Sequence, residues 1–277
     1  MKILYWIPKN LLSYWVGKFM YLKFPRPLAQ WLINTFAKRY RIHIEEAENP
    51  LSAYASIGDF FTRRLKEGVR PLGDSAYVHP ADSVITARGR ISKAQLIQAK
   101  GRMYSLEKFL GVSSVAEWEN GFFVTYYLCP TDYHRVHSPI DAWVKEVKYI
   151  PGALWPVNEW SVNTIDELFV QNERVVVELE SSRGALALVF VGATNVGSIR
   201  LTLEPSLKTN HAHVRSAQTW RYSPHQMKIE KGQELGMFCM GSTVIVVAKD
   251  SWSELIPLVQ EVKPKKVKVR SSLESEL

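Results

Sequence analysis

The chain has 277 residues, 46% of them hydrophobic and 22% charged, with a formal net charge of +8 at pH 7. This composition suits a folded protein with a sizeable core and excludes disordered, collagen-like and disulfide-framed classes. The two cysteines, Cys129 and Cys239, read as small buried hydrophobes in a reducing compartment.

The excess positive charge lies at the start of the chain. Residues 1–44 contain Lys2, Lys9, Lys18, Lys23, Arg26, Lys38, Arg39 and Arg41 but no acid, and the first acid is Glu45. Leu12, Trp15, Val16 and Phe19 recur at helical spacing and predict an amphipathic helix. Leu28, Trp31, Leu32 and Phe36 follow Pro27 and predict a second. Basic helices with Trp and Phe on one side suit an anionic membrane interface. The competing reading packs both stripes on the protein body. The interleaved apolar residues argue against nucleic acid as the polyanion. No uncharged run approaches the ~20 residues of a membrane span. The segment also lacks the apolar centre and small-residue cleavage site of a signal peptide. The expectation is an uncleaved interfacial segment holding a peripheral protein at the cytoplasmic face of the cell membrane.

Residues 51–70 predict a further helix with Ile57, Phe60, Phe61 and Leu65 on one side, ending near Gly68 and Pro71. Beyond Pro71 the chain changes to short β-branched and aromatic runs bounded by turn residues. These are FFVTYYL at 122–128, WVKEVKYI at 143–150, VVVELE at 175–180, ALALVFVGATNVGSI at 185–199 and VIVVA at 244–248. The fold class expected is α+β, with an N-terminal helical region over 1–70 and a β-rich domain over 71–277. The basic stretch KPKKVKVR at 263–270 reads as a solvated edge strand or a frayed tail.

Three blocks carry residues able to do chemistry. Gly241-Ser242-Thr243 follows KGQELGMF and opens an apolar strand; alone it is a turn before a strand. The block PTDYHRVH at 130–137 brings His134 and His137 three residues apart, as metal ligands, catalytic groups or surface residues. A zinc site would need more ligands, and Asp132, His79, His211 and His213 fall in no recognised zinc spacing. The block HPADSVI at 79–85 puts Asp82 at the entry to a strand, a usual turn position.

Taken in order, the cleavage-type block KGQELGMFCMGST, the DYHRVH block and the PAD block resemble the bacterial phosphatidylserine decarboxylases. IPGALWPVN at 150–158, VGATNVGSI at 191–199 and QAKGRMYSLE at 98–107 extend the resemblance over nearly the whole chain. Ser83 stands where that family usually has Gly, and Met240 where Leu is commoner.

The resemblance implies a sandwich-like core of the hybrid β type and a self-cleaving proenzyme. Ser242 would attack the Gly241 carbonyl, giving chains 1–241 and 242–277 that stay in a tight complex. Ser242 would become a covalent pyruvoyl cofactor. His137 would be the base for that attack, supported by Asp82, and His134 the acid that returns a proton to the decarboxylated substrate. The implied reaction turns phosphatidylserine into phosphatidylethanolamine on an anionic membrane surface, with no metal and no nucleic acid; a homodimer is left open. Three alternatives stand beside it: a pyruvoyl decarboxylase of a soluble amino acid, a metal-dependent hydrolase using the two histidines, and a non-catalytic membrane-bound β module.

Overall fold

The computed structural model describes residues 8–99, 102–194, 198–210, 216–239, 242–255 and 264–273. Helix α1 (Lys9–Met20) turns a strip of compact residues inward: Ser13, Gly17 and Met20 are buried. Leu11, Leu12, Trp15 and Phe19 are left exposed, Trp15 by 62%. Its start is tied to the body by the Asn10 amide, which donates to the Gly152 carbonyl at 2.9 Å. Its end is fixed by Tyr21, whose ring lies against Gly58; a Cβ at Gly58 would come within 2.8 Å of that ring. Helix α2 (Arg26–Arg39) repeats the pattern, burying Ala29, Ile33 and Ala37 and exposing Leu28 and Trp31, the latter again by 62%. Lys38 and Arg39 in its last turn suit the negative end of the helix dipole.

The helix expected over 51–70 is much shorter. A 3-10 turn covers Leu51–Ala53, and helix α3 covers only Ile57–Phe61, capped by Ser56 accepting from the Asp59 N–H. After Thr62 the backbone pairs with an earlier segment instead: Glu48 N–H donates to the Arg64 carbonyl, and Lys66 N–H to Glu46. Leu65, expected on the helix, makes a β-bridge with Ala47. Tertiary pairing overrides the helical periodicity here.

The remaining chain forms strands β1 (Ser83–Arg90), β2 (Gln95–Ala99), β3 (Arg102–Ser105), β4 (Phe122–Leu128), β5 (Arg135–His137), β6 (Ala142–Ile150), β7 (Arg174–Ser181), β8 (Gly184–Val191), β9 (Ile199–Leu201), β10 (Gln218–Arg221), β11 (Lys228–Ile229), β12 (Glu234–Phe238), β13 (Ser242–Ala248) and β14 (Lys265–Val267). A nine-stranded sheet runs β10-β6-β7-β8-β13-β4-β1-β14, with β11 also on β6. All its pairings are antiparallel. The α+β class is therefore what the chain adopts. The central strand β13 is flanked by β8 and β4, and Val244 through Ala248 are fully buried. The basic C-terminal stretch supplies β14, the edge strand beside β1.

A second, three-stranded sheet has the order β5-β12-β9. It unites the histidine block with the segment leading to Gly241. A smaller apolar cluster of Ile33, Ala37, Ile42 and Phe60 holds α2 against α3.

Candidate active site

Three backbone pairings assemble the separate sequence blocks. Ser242 opens β13 directly opposite Leu128, the last residue of β4, so the turn that follows Leu128 lies beside the start of β13. Along β12, Met237 is opposite Arg135 and Gly236 opposite Val136. The Phe238 N–H donates to the His134 carbonyl at 3.0 Å. Third, the His137 N–H donates to the Pro80 carbonyl at 2.8 Å, joining the histidine block to the residues just before Asp82. Gly241 lies outside the described residues, as do His211 and His213. Ser242 is described as a strand residue.

His134 has no exposure to solvent. Its Nδ1 lies 2.9 Å from the Asp132 carbonyl and its ring 4.1 Å from that of Phe61. A carbonyl only accepts, so Nδ1 carries the proton and Nε2 the lone pair. That Nε2 is buried without a hydrogen-bond partner. Burial pulls the His134 pKa down to about 3, with the Asp132 carbonyl and the Asp82 charge opposing and the Arg63 charge assisting. The ring is therefore neutral at pH 7.

His137 has the same tautomer. Nδ1 donates to the Gly232 carbonyl at 2.8 Å, and Nε2 lies 3.1 Å from the Tyr133 hydroxyl. Burial lowers its pKa, opposed by the Gly232 carbonyl. The two Nδ1 atoms go to separate carbonyls, Asp132 for His134 and Gly232 for His137. Among the described residues no group of three or more metal-ligating side chains comes together.

Asp82 is 1% exposed. It makes no hydrogen bond to His137. Its Oδ1 accepts from Arg70 Nε at 3.0 Å and from the Val269 N–H at 2.8 Å. Its Oδ2 accepts from Arg70 Nη2 at 2.6 Å and lies 3.3 Å from Lys268 Nζ. Arg70 Nη2 also reaches Glu46 at 2.8 Å. Burial by itself would raise the Asp82 pKa; the Arg70 hydrogen bonds and charge, with Lys268 and the Val269 N–H, outweigh it and hold the carboxyl ionised. Asp132 shapes the intervening turn by accepting from the Cys129 N–H at 2.8 Å, and burial raises its pKa. Cys239 is buried and unpaired with Cys129, and its sulfur accepts from the Ser198 hydroxyl at 3.3 Å.

Two cavities meet at this cluster. One of about 430 Å³ is lined by His137, Tyr133, Arg70 and Glu234. The other, about 320 Å³, is lined by Tyr133, Arg70, Asp82, Asp132, Arg63 and Lys268. Arg70 and Tyr133 belong to both walls. Sequence reasoning missed Arg63, Arg70, Tyr133 and Lys268 as site residues. Tyr133 sits inside the DYHRVH block and was open to notice; Arg70 looked only like the end of a helix, and Lys268 like one charge in a tail.

The low proton affinity of His134 has a measurable consequence. An unfolded histidine takes up a proton below about pH 6.5, whereas His134 in the fold stays neutral to about pH 3. The unfolded chain then binds more protons, so stability falls as the pH drops through this window, by up to about 1.4 kcal/mol per pH unit. Asp82 contributes in the same direction only below its unfolded pKa near 4. Urea unfolding of a Ser242→Ala chain between pH 6 and 5 is expected to show this slope, and adding His134→Asn to reduce it, with buried His137 keeping a share of the same sign. Equal slopes in the two chains would contradict the burial argument.

Comparison with known proteins gives one family. The family model described as phosphatidylserine decarboxylase matches residues 57–273. A phosphatidylserine decarboxylase proenzyme of Methylobacillus flagellatus is 44% identical over 253 residues, covering 89% of this chain and 88% of that protein. The proenzyme of Shewanella denitrificans is 43% identical over 251 residues, covering 88% and 86%. That of Anaeromyxobacter is 39% identical over 254 residues, covering 91% and 89%.

Proposed function

Because the chain belongs to the phosphatidylserine decarboxylase family, we propose that it cuts itself between Gly241 and Ser242, makes a pyruvoyl group from Ser242, and uses it on phosphatidylserine at a membrane surface. The enzyme is a carboxy-lyase that yields phosphatidylethanolamine and carbon dioxide. The observation that carries the assignment of residues is the pairing of β5 with β12, which sets the histidine block against the segment leading into the cut.

In the first stage the Ser242 hydroxyl attacks the Gly241 carbonyl. His137 takes its proton: Nδ1 is committed to the Gly232 carbonyl, so Nε2 holds the basic lone pair. The Tyr133 hydroxyl, 3.1 Å from that nitrogen in the uncut chain, exchanges for the serine hydroxyl. The peptide becomes an ester, loss of the Ser242 α-proton expels the Gly241 carboxylate, and hydrolysis releases ammonia. Asp82 is a positioning residue. Clamped by Arg70 and the Val269 N–H, it holds fixed negative charge two residues from the Pro80 carbonyl that anchors His137.

The pyruvoyl ketone supplies the electron sink for loss of carbon dioxide. The residues suit such a group, since a buried imidazole nitrogen without a partner waits beside the strand that leads to it. His134 delivers the proton that replaces the lost carboxylate. An anionic head group entering beside His134 favours its charged form and so prepares it as an acid. After the cut, chain 242–277 stays with chain 1–241, because β13 is held on both sides in the middle of the large sheet. Leaving would expose a fully buried strand. Radiolabelled phosphatidylserine and free serine offered to the same preparation test the reaction. Carbon dioxide from the lipid alone supports it, and equal release from serine points to a soluble substrate.

The membrane contact is assigned to the outward faces of α1 and α2. No helix among the described residues is long and apolar enough to cross a bilayer. Leu11, Trp15, Phe19, Leu28 and Trp31 are exposed apolar side chains on helices rich in Lys and Arg. Since Trp15 and Trp31 do not hold the fold together, the Trp15→Ser, Trp31→Ser double variant is expected to cut normally yet float several-fold less with vesicles containing anionic lipid. High salt weakens binding of the parent without abolishing it. Unchanged flotation of the double variant would put the contact elsewhere.

A further inference from the structure

The turn after α3 carries an arginine with an unmet need. Arg63 is 4% exposed, yet its Nε and Nη1 find no hydrogen-bond partner. A guanidinium has five N–H donors and stays charged in proteins, so burying it without a counter-group is costly. Neighbouring cations do not share this condition. Arg70 is fully engaged by Asp82, Glu46 and the Val69 carbonyl. Arg135 is engaged by Glu234 and the Thr62 carbonyl. The Asp82, Glu46 and Glu234 carboxylates are thus hydrogen-bonded to other arginines, Asp132 accepts from the Cys129 N–H, and Asp82 and Glu46 reach Arg63 only as charges through space. Arg63 stacks 5.2 Å from the Phe60 ring, which holds its plane in place.

The position is rigid and close to the chemistry. Arg135 donates through Nε and Nη2 to the Thr62 carbonyl at 3.0 and 2.8 Å, clamping the residue before Arg63 onto the strand between the two histidines. Arg63 lines the 320 Å³ cavity with Arg41, Arg70, Asp132 and Lys268. One wall of that cavity is the Thr131–Tyr133 turn that follows Leu128, the residue opposite Ser242. Tyr40 and Arg41 of the same wall lie just beyond α2, whose outer face is exposed and apolar.

We propose that Arg63 is the anchor for the phosphodiester of the lipid head group. This rests on the reading of the chain as a phosphatidylserine decarboxylase. A serine head group offers two anions, a carboxylate and a phosphodiester. A guanidinium held on the carboxylate would stabilise the ground state of the group that must leave. The phosphodiester persists from substrate to product, and a planar guanidinium matches its oxygens in pairs. The Arg63 charge is also one of those that disfavour the protonated form of His134. An anion seated on Arg63 cancels that effect, so anchoring the substrate prepares the proton donor.

The test uses the full chain with Arg63→Gln and Arg63→Lys, with three readouts. On a gel, both variants are expected to cut as fully as the parent, since Arg63 takes no part in making the pyruvoyl group. In decarboxylation of phosphatidylserine in detergent micelles, Arg63→Gln is expected to raise KM about tenfold or more with a smaller change in kcat; Arg63→Lys recovers part of the loss. In calorimetry on the uncut Ser242→Ala chain, glycerophosphoserine is expected to bind and Arg63→Gln to weaken it about tenfold, while free serine does not bind. Unchanged KM and unchanged glycerophosphoserine binding in Arg63→Gln would overturn the proposal. Inorganic phosphate binding as tightly as glycerophosphoserine would also overturn it, by showing a free-phosphate site. A parent chain that neither cuts nor releases carbon dioxide would instead defeat the underlying reading. If Arg63→Gln fails to fold, as judged by loss of cutting and of its thermal transition, Arg63→Lys carries the same comparison.

Discussion

Replacing Ser242 with alanine is expected to leave one uncut chain of 277 residues with decarboxylation no faster than the uncatalysed reaction. The loss is total because, in the proposed chemistry, the serine hydroxyl is both the attacking group and the source of the cofactor. A neighbouring nucleophile has no route to the same product. Cys239 is buried and takes the Ser198 hydroxyl on its sulfur. The Ser242→Ala chain is expected to fold, since its strand pairs through backbone groups with Leu128. Gel mobility and a carbon dioxide assay on one preparation check this. Cutting at the same bond without the hydroxyl would refute the proposed chemistry.

The second large effect separates the two histidines. His137→Ala is expected to slow self-cleavage by ~10²–10⁴-fold, the usual scale of a general base. Asp82→Asn is expected to slow it less, because the carboxylate acts through position and charge and does not contact the ring. His134→Ala is expected to cut and form the pyruvoyl group, then decarboxylate slowly for lack of a proton donor. Ion-binding histidines would instead fail together, losing cutting and decarboxylation alike. A time course of cutting beside carbon dioxide release for each variant makes the comparison. Failure of His134→Ala to cut as completely as His137→Ala fails would refute the division of labour.

Much of this organisation was legible from local pattern. FFVTYYL is β4 to the residue, and VVVELE and VIVVA fall within β7 and β13. β-branched and aromatic runs of strand length have few other fates. The two N-terminal helices were also legible, with Leu12, Trp15 and Phe19 on the outer face of α1. What faces inward was not. Ser13, Gly17, Ala29 and Ala37 are small, so they carry little hydrophobic signal, yet small residues let a helix approach closely. In α2, Ile33 rather than Phe36 is the fully buried apolar side chain. The helix expected through 70 failed because residues 64–66 pair with 46–48, a partnership that periodicity cannot register.

The site divides in the same way. The blocks containing Asp82, His134, His137 and Ser242 stood out as strings, and the pairing of β5 with β12 brings two of those blocks together. The connection expected between Asp82 and His137 is not a hydrogen bond, because Arg70 takes both carboxylate oxygens. Arg70, Lys268 and Arg63 were illegible for a common reason. Each is an ordinary basic residue in sequence, and only long-range contacts show whether its charge is spent or unspent.

Ser242 is proposed to become the cofactor by cutting its own peptide bond. Intact-mass analysis of active enzyme, with chemical sequencing of the small fragment, tests it most directly. Two chains are expected, residues 1–241 and a fragment beginning at position 242 whose blocked terminus opens to sequencing after reductive amination, as a ketone would. A single uncut mass with full activity, or a fragment with a free amino terminus at Ser242, would contradict it.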